Sequence, residues 1–206
     1  MSDRVPSLFV IAAPSGAGKT TLVHALVKKH PELRFSISYT TRQQRSNEAD
    51  GVDYLFVDRD TFESLQRQGE MLEWATVFDN FYGTSRRQVE QHLDDGHSVI
   101  LEIDWQGARQ VREAMPDCIS IFILPPSHAE LVRRLKDRGT DSEAVIARRL
   151  RDALSDMAHW EEFDYVVIND NLDTAVSELE AVVAGRGDAN ATDNEGLRRA
   201  IARISA

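Results

Sequence analysis

The sequence predicts an α/β protein with a parallel five-stranded core sheet flanked by helices. Short, nearly continuous apolar runs recur along the chain, and amphipathic stretches at helical spacing separate them. With 206 residues, 42% of them hydrophobic, the chain can build one such domain with small insertions.

The expected core strands are Leu8–Ala12, Arg34–Ser38, Val99–Ile103, Ile119–Leu124 and Tyr165–Ile168. Their near-continuous hydrophobicity suits strands covered on both faces. Leu22, Val23, Leu26 and Val27 mark one face of a helix after the first strand. Ser85 with Gln88 reads as the start of a second helix, running to Leu93. Ile146, Leu150, Leu154 and Met157 give the helical face of the stretch from Ser142 to Trp160, and a last core helix covers Leu172 to Val183. Residues 39–84 break the alternation. A polar, arginine-rich loop, Tyr54–Val57, a short helix from Asp60 and Met71–Phe78 read as a small mixed β insertion. Residues 126–156 form a charged helical excursion, entered through Pro125-Pro126. Gly185–Gly196 is polar and reads as a linker, followed by a short helix with Leu197, Ile201 and Ile204 on one side, docked on its own domain.

Acidic residues outnumber basic ones 34 to 24, a formal charge of −10, which argues against non-specific nucleic-acid binding and against an anionic membrane surface. No apolar stretch approaches the ~20 residues of a bilayer span, and the N-terminal run lacks a signal-peptide pattern. The lone Cys118 excludes an internal disulfide framework. These features predict a cytoplasmic protein without nucleic-acid or membrane partners and leave a homo-oligomer open.

The most specific stretch is Ala13-Pro14-Ser15-Gly16-Ala17-Gly18-Lys19-Thr20, between the first strand and the first helix. A glycine-rich turn that opens a helix aims backbone N–H groups and the positive end of the helix dipole at an anion. Lys19 is expected to reach the outer phosphates of a nucleotide, and the Thr20 hydroxyl to ligate Mg²⁺. Ala13 stands where the strict phosphate-loop pattern has its first glycine.

Four further stretches add chemistry. Ser38 to Arg45 puts Arg42 and Arg45 in one loop, with Tyr54 downstream, a set suited to a second phosphate. Glu73 alternates with Leu72 and Trp74 and is expected to point into a pocket. There a carboxylate can accept both N1–H and N2–H of guanine, while a hydroxyl from Ser38 or Thr84 donates to O6; adenine would set a lone pair against the same carboxylate. Glu102 and Asp104 share a face at the end of a core strand, either on the Mg²⁺ side of a nucleotide or as surface acids. Arg133, Arg134 and Arg138, with Arg148 and Arg149 beyond, lie on the charged excursion, where cations on a closing lid would stabilise phosphoryl transfer.

With these motifs in order, together with Gly51-Val52-Asp53-Tyr54, Tyr82-Gly83-Thr84, Glu102-Ile103-Asp104-Trp105-Gln106-Gly107, Arg138-Gly139-Thr140 and Asn169-Asp170, the chain resembles the guanylate kinase family from about Ser7 to about Val183. The resemblance implies a P-loop nucleoside monophosphate kinase fold and the reaction ATP + GMP ⇌ ADP + GDP with Mg²⁺. It implies a kinase-like domain over 4–187, with core segments 4–36, 85–125 and 157–187, a GMP-binding part 37–84 and a lid 126–156; 188–206 is a C-terminal tail. By position, ATP would meet Ala13, Pro14, Ser15, Gly16, Ala17, Gly18, Lys19, Thr20, Thr21, Arg134, Asn169 and Asp170. GMP would meet Ser38, Arg42, Arg45, Tyr54, Glu73, Tyr82, Thr84, Glu102 and Asp104. Lys19, Arg45, Arg138 and Arg149 would be catalytic, and Thr20 the metal ligand. Glu102 replaces an aspartate of other members, so its contact, to guanine or to the metal shell, stays open. Relatives of this fold also include sugar-bisphosphate kinases acting on ribose 1,5-bisphosphate, and non-catalytic binding domains. Intact Lys19 and Thr20 argue against the latter, and Ser38, Glu73 and Thr84 against the former.

Overall fold

The computed structural model describes residues 5–46, 48–77, 79–137 and 143–204. The chain divides into two compact units. One is Pro31–Ile119 with the N-terminal stretch to Val10; the other is Ile11–His30 with the chain from Ser120 onward.

The elements run β1 (Leu8–Ala12), α1 (Lys19–Lys29), β2 (Arg34–Phe35), β3 (Tyr39–Thr40), β4 (Leu55–Phe56), α2 (Arg59–Arg67), β5 (Met71–Val77), β6 (Asn80–Ser85) and α3 (Arg86–Asp94). They continue with β7 (Val99–Ile103), α4 (Trp105–Ala114), β8 (Ile119–Leu124), α5 (His128–Lys136), α6 (Glu143–Met157), β9 (Tyr165–Ile168), α7 (Leu172–Val183) and α8 (Glu195–Ile204). The core sheet has five strands in the order β2-β7-β1-β8-β9, with β2 parallel to β7 and β8 parallel to β9. Every residue of β1 is buried, as its unbroken apolar run requires. A second sheet, β4-β3-β6-β5, is mixed: β3 runs parallel to β4 and antiparallel to β6, which pairs antiparallel with β5.

Side-chain caps set most helix starts. Asp58 accepts from Thr61 N, Ser85 from Gln88 N, Asp104 from Gly107 N, Ser127 from Glu130 N and Asn171 from Thr174 N. The Ser85 start and the bounds of α7 match the sequence expectation.

Four local expectations differ from the structure. The single strand expected over Arg34–Ser38 is shorter: β2 ends at Phe35, and the chain crosses to β3 of the small sheet. Phe35, Ile37 and Tyr39 alternate with serines there, so the run lacks the continuous apolar character of a strand covered on both faces, and Ser36 is itself buried. Helix α4 is absent from the sequence reading because its buried face is built from Gly107, Ala108 and Val111, too small for a hydrophobic stripe. On α6, Leu154 is exposed and Ala153 takes its place inside, since the face steps from Leu150 by three residues and then by four to Met157. The expected linker is ordered structure. A 3-10 turn at Asp188–Asn190 leads to Ala191, which bridges to Tyr165 of β9; α8 then buries Ile201 and Ile204.

Candidate functional site

The chemistry-bearing residues fall into two groups, one in each unit.

In the unit containing α1, the turn after β1 has Gly16 and Gly18 at φ 90° and 91°. These are left-handed conformations that side chains resist, so the two glycines shape the turn. Ala17 N–H donates to Pro14 O at 3.2 Å, and α1 then starts without a side-chain cap. Lys19 lies half-buried and Thr20 exposed on that first turn. The Asn169 side chain, only 6% exposed, donates from Nδ2 to Ala17 O at 2.7 Å. Arg134 donates from Nη1 to the same carbonyl at 3.3 Å and from Nη2 to Asn169 O at 3.0 Å. A Cβ on Gly18 would stand 2.4 Å from Asn169 Nδ2, so the glycine also makes room for this brace. Arg134 is oriented in turn by Glu130, whose Oε1 accepts from Arg134 Nε at 2.7 Å. Hydrogen bonds from Arg133 and then Arg134 hold the Glu130 carboxyl down to about 2. Arg149 is half-buried on α6, and Asp170 is exposed just ahead of α7. Arg138 lies outside the described residues.

In the other unit, paired strands fix a second group. Thr40 Oγ1 donates to Phe81 O and accepts from Arg42 N, while Thr41 Oγ1 accepts from Phe81 N. The Thr-Thr-Arg turn is thereby tied to β6. Arg42 donates from Nε to Tyr82 OH at 3.2 Å, from Nη1 to Gln43 O at 2.7 Å and from Nη2 to Glu48 Oε1 at 2.7 Å. Its guanidinium lies over the Tyr54 ring, 5.3 Å from the centroid. Burial, with the Glu102 charge next, pushes the Tyr54 phenol up, so it stays a hydrogen-bond donor at neutral pH. Glu48, which the sequence reading passed over, accepts from Arg45 N at 2.9 Å as well. Its carboxyl sits below the ordinary value, chiefly through the bond from Arg42. The Arg45 side chain is 64% exposed, its Nη1 3.8 Å from Glu48.

Glu73 on β5 faces Thr84 on β6 across a register shift that follows Met71. Glu73 is 4% exposed, and Thr84 Oγ1 donates to its Oε1 at 2.6 Å. β5 is an edge strand, and α4 covers that edge: Gln110 donates to Trp74 O at 2.8 Å and accepts from Trp74 N at 3.1 Å. The same helix brings Gly107 so close that a Cβ there would lie 2.5 Å from Glu73 Oε2 and 3.3 Å from Asp104 Oδ1. Asp104 Oδ1 accepts from Gly107 N at 2.7 Å, so this acid is the α4 cap. Ser38 is half-buried between β2 and β3, and its carbonyl accepts from Leu55 N. A cavity of about 330 Å³ lined by Tyr39, Met71, Ser85 and Arg87 lies on the opposite face of the small sheet from Glu73 and Thr84, as the strand pairing requires.

Among the described residues no three His, Cys, Asp or Glu side chains group to hold a metal ion, and no helix is long and apolar enough to cross a membrane.

A phosphate cradle opening a helix on a parallel sheet, with a separate mixed sheet carrying arginines and a buried acid, defines a P-loop kinase architecture. The guanylate kinase family profile matches residues 6–185. A guanylate kinase of Alkalilimnicola ehrlichii is 56% identical over 176 residues, covering 85% of this chain and 87% of its own length. One of Aliivibrio fischeri is 48% identical over 200 residues, covering 95% and 97%. The crystal structure of guanylate kinase from Anaplasma phagocytophilum superposes with a TM-score of 0.74 at 34% identity, covering 98% of this chain and 97% of that one. The chain belongs to the guanylate kinase family.

Proposed function

We propose that this chain transfers the γ-phosphoryl group of ATP to GMP, giving ADP and GDP. The observation that carries the guanine assignment is Glu73: a carboxylate almost wholly withdrawn from water and fixed by Thr84. Burying such a charge is costly unless donors meet it. Guanine offers two, N1–H and N2–H, on one edge. Because Thr84 spends its proton on Glu73, Ser38 becomes the hydroxyl that donates to guanine O6. Asp104, already a cap, has its second oxygen for the N2 amino group. Arg42, Arg45, Tyr54 and Tyr82 receive the GMP phosphate.

ATP is held by Ala13 to Thr21, with Lys19 on its outer phosphates and Arg134, Asn169 and Asp170 behind the turn. Thr20 would offer a hydroxyl ligand to Mg²⁺ carried in on the phosphates. That ion would neutralise charge between the outer phosphates. The acceptor oxygen of GMP is already anionic near pH 7, so no strong general base is needed. Lys19, Arg45, Arg138 and Arg149 stabilise the charge as it moves onto ADP, and turnover requires the two nucleotides to be brought in line. The setting is cytoplasmic, and no nucleic-acid or membrane partner is needed.

The test is ADP formation from ATP and Mg²⁺ with GMP, AMP, UMP, CMP and ribose 1,5-bisphosphate offered separately. Turnover with GMP alone supports the assignment. Turnover only with the sugar bisphosphate would overturn the roles of Glu73 and Ser38, and GMP binding without turnover would point to a binding module.

A further inference from the structure

Glu48 belongs to none of the residues assigned above to substrate, yet it joins both arginines of the Thr-Thr-Arg loop. Its Oε1 accepts from Arg42 Nη2 at 2.7 Å, and its Oε2 accepts from the Arg45 backbone N–H at 2.9 Å. Its carbonyl accepts from Gln44 Nε2 at 2.6 Å. The pair is sheltered: the Glu48 side chain is 10% exposed and that of Arg42 15%. Arg42 thus has three of its five N–H donors committed, to Tyr82, Gln43 and Glu48, and each bond fixes the guanidinium plane from a different side.

Resting on the reading that Arg42 and Arg45 receive the GMP phosphate, we infer that Glu48 is a positioning residue for that phosphate: its carboxylate holds the Arg42 plane and the Arg45 backbone where an entering phosphate meets aligned donors. Two effects oppose each other when Glu48 is altered. Removing a negative charge near the site favours an incoming dianion, whereas releasing Arg42 and Arg45 costs the alignment that made them useful. Alignment wins here because the pair is sheltered and the bonds short, so the geometry of the guanidinium, and not its mere charge, decides bidentate capture. Arg42 without Glu48 would also be drawn elsewhere, since a half-buried cation seeks another acceptor.

The test compares GMP with guanosine, which shares the base and sugar and lacks the phosphate. Binding of each is measured by calorimetry for the wild type, Glu48→Gln, Glu48→Asp and Arg42→Met, with thermal unfolding followed in parallel. In Glu48→Gln the preference for GMP over guanosine is expected to fall about tenfold or more, the scale of one charge-assisted hydrogen bond, with guanosine affinity unchanged. Glu48→Asp recovers part of that preference. An unchanged or increased preference in Glu48→Gln, with the preference lost in Arg42→Met, overturns the positioning role and leaves the phosphate site standing. An unchanged preference in both variants overturns the phosphate-site reading itself. Equal loss of GMP and guanosine binding, with a lowered Tm, would make Glu48 a purely structural brace and also overturns the inference.

Discussion

The backbone at Gly107 lies so near the Glu73 carboxylate that Gly107→Ala is an informative single change. The new Cβ would stand 2.5 Å from Glu73 Oε2 and 3.2 Å from its Cδ. Contacts below 3.0 Å are essentially never seen, so the carboxylate must retreat by at least 3.0 − 2.5 = 0.5 Å. It has little room to do so: Glu73 is 4% exposed and Thr84 holds the other oxygen at 2.6 Å. Asp104 Oδ1, 3.3 Å from the same Cβ, is pressed as well. Both acids assigned to the guanine edge therefore move together.

The cost divides into a fold term and a binding term. In the fold, overpacking costs about 1–3 kcal/mol, while alanine in place of glycine in a helix returns up to about 1 kcal/mol, so the protein stays folded. In binding, losing alignment of one hydrogen bond to a charged acceptor costs about 1.5–3 kcal/mol, or roughly 10- to 150-fold in kcat/KM for GMP. The KM for ATP should not change, because the cradle belongs to the other unit. Initial rates of ADP formation with each nucleotide varied, beside a thermal unfolding curve, separate the two terms. If kcat/KM for GMP stays within about threefold of wild type while the variant is folded, Glu73 and Asp104 do not grip the guanine edge as proposed.

Lys19→Ala is expected to abolish turnover while circular dichroism and Tm stay near wild type; near-normal kcat would refute its phosphate role. Asn169→Ala removes one of two donors to Ala17 O and should cost about 1–3 kcal/mol in stability and weaken ATP far more than GMP, which equilibrium binding of each nucleotide will show. Glu48 carries a carboxyl below its ordinary value of 4.5, first because Arg42 bonds it, so its contribution to stability is complete above that value and is lost as the pH falls through the lower folded value. The Tm gap between wild type and Glu48→Gln should accordingly be widest near neutral pH and close in acid; a gap that widens on acidification contradicts the pairing. Asn190→Ala deprives Val166 O and Glu178 of a buried donor and should lower stability by about 1–3 kcal/mol without changing KM for either nucleotide, as denaturant unfolding and kinetics together can decide.

Much of this fold could be read from the chain because its signals are local. The unbroken apolar run of β1, the glycines of the turn after it and the serine that starts α3 each act within a few residues. What could not be read acts at a distance or through small groups. The brace from Asn169 to Ala17 spans 152 positions, and nothing in an asparagine before a helix says which carbonyl it will meet. Glu48 sits in a polar loop with no periodicity, and its meaning comes only from the turn that returns it to Arg42. Helix α4 escaped notice for the reason it matters: its inner face is small so that Gly107 can lie against Glu73, and a small face leaves no hydrophobic stripe. Asp104 was legible as an acid at a strand end, but its role as a cap needed the helix to be known first.

The arginines assigned to phosphates differ in how they are kept, and the difference bears on what each can do. Arg42 and Arg134 are both paired with a carboxylate and a backbone carbonyl before any nucleotide is considered. A cation so held cannot travel far, and it gives a ligand alignment without a fresh ordering cost. Such groups suit ground-state binding. The Arg45 side chain, by contrast, is 64% exposed and fastened mainly at its backbone. Holding that long side chain in one place costs rotamer entropy, which only a strong local charge would repay. Charge shifts most at the transferring phosphoryl group, so the loosely held arginine gains most from the transition state and least from bound GMP. On the proposed roles, the same loop supplies one arginine held by its neighbours and one exposed side chain, and Glu48 contacts both.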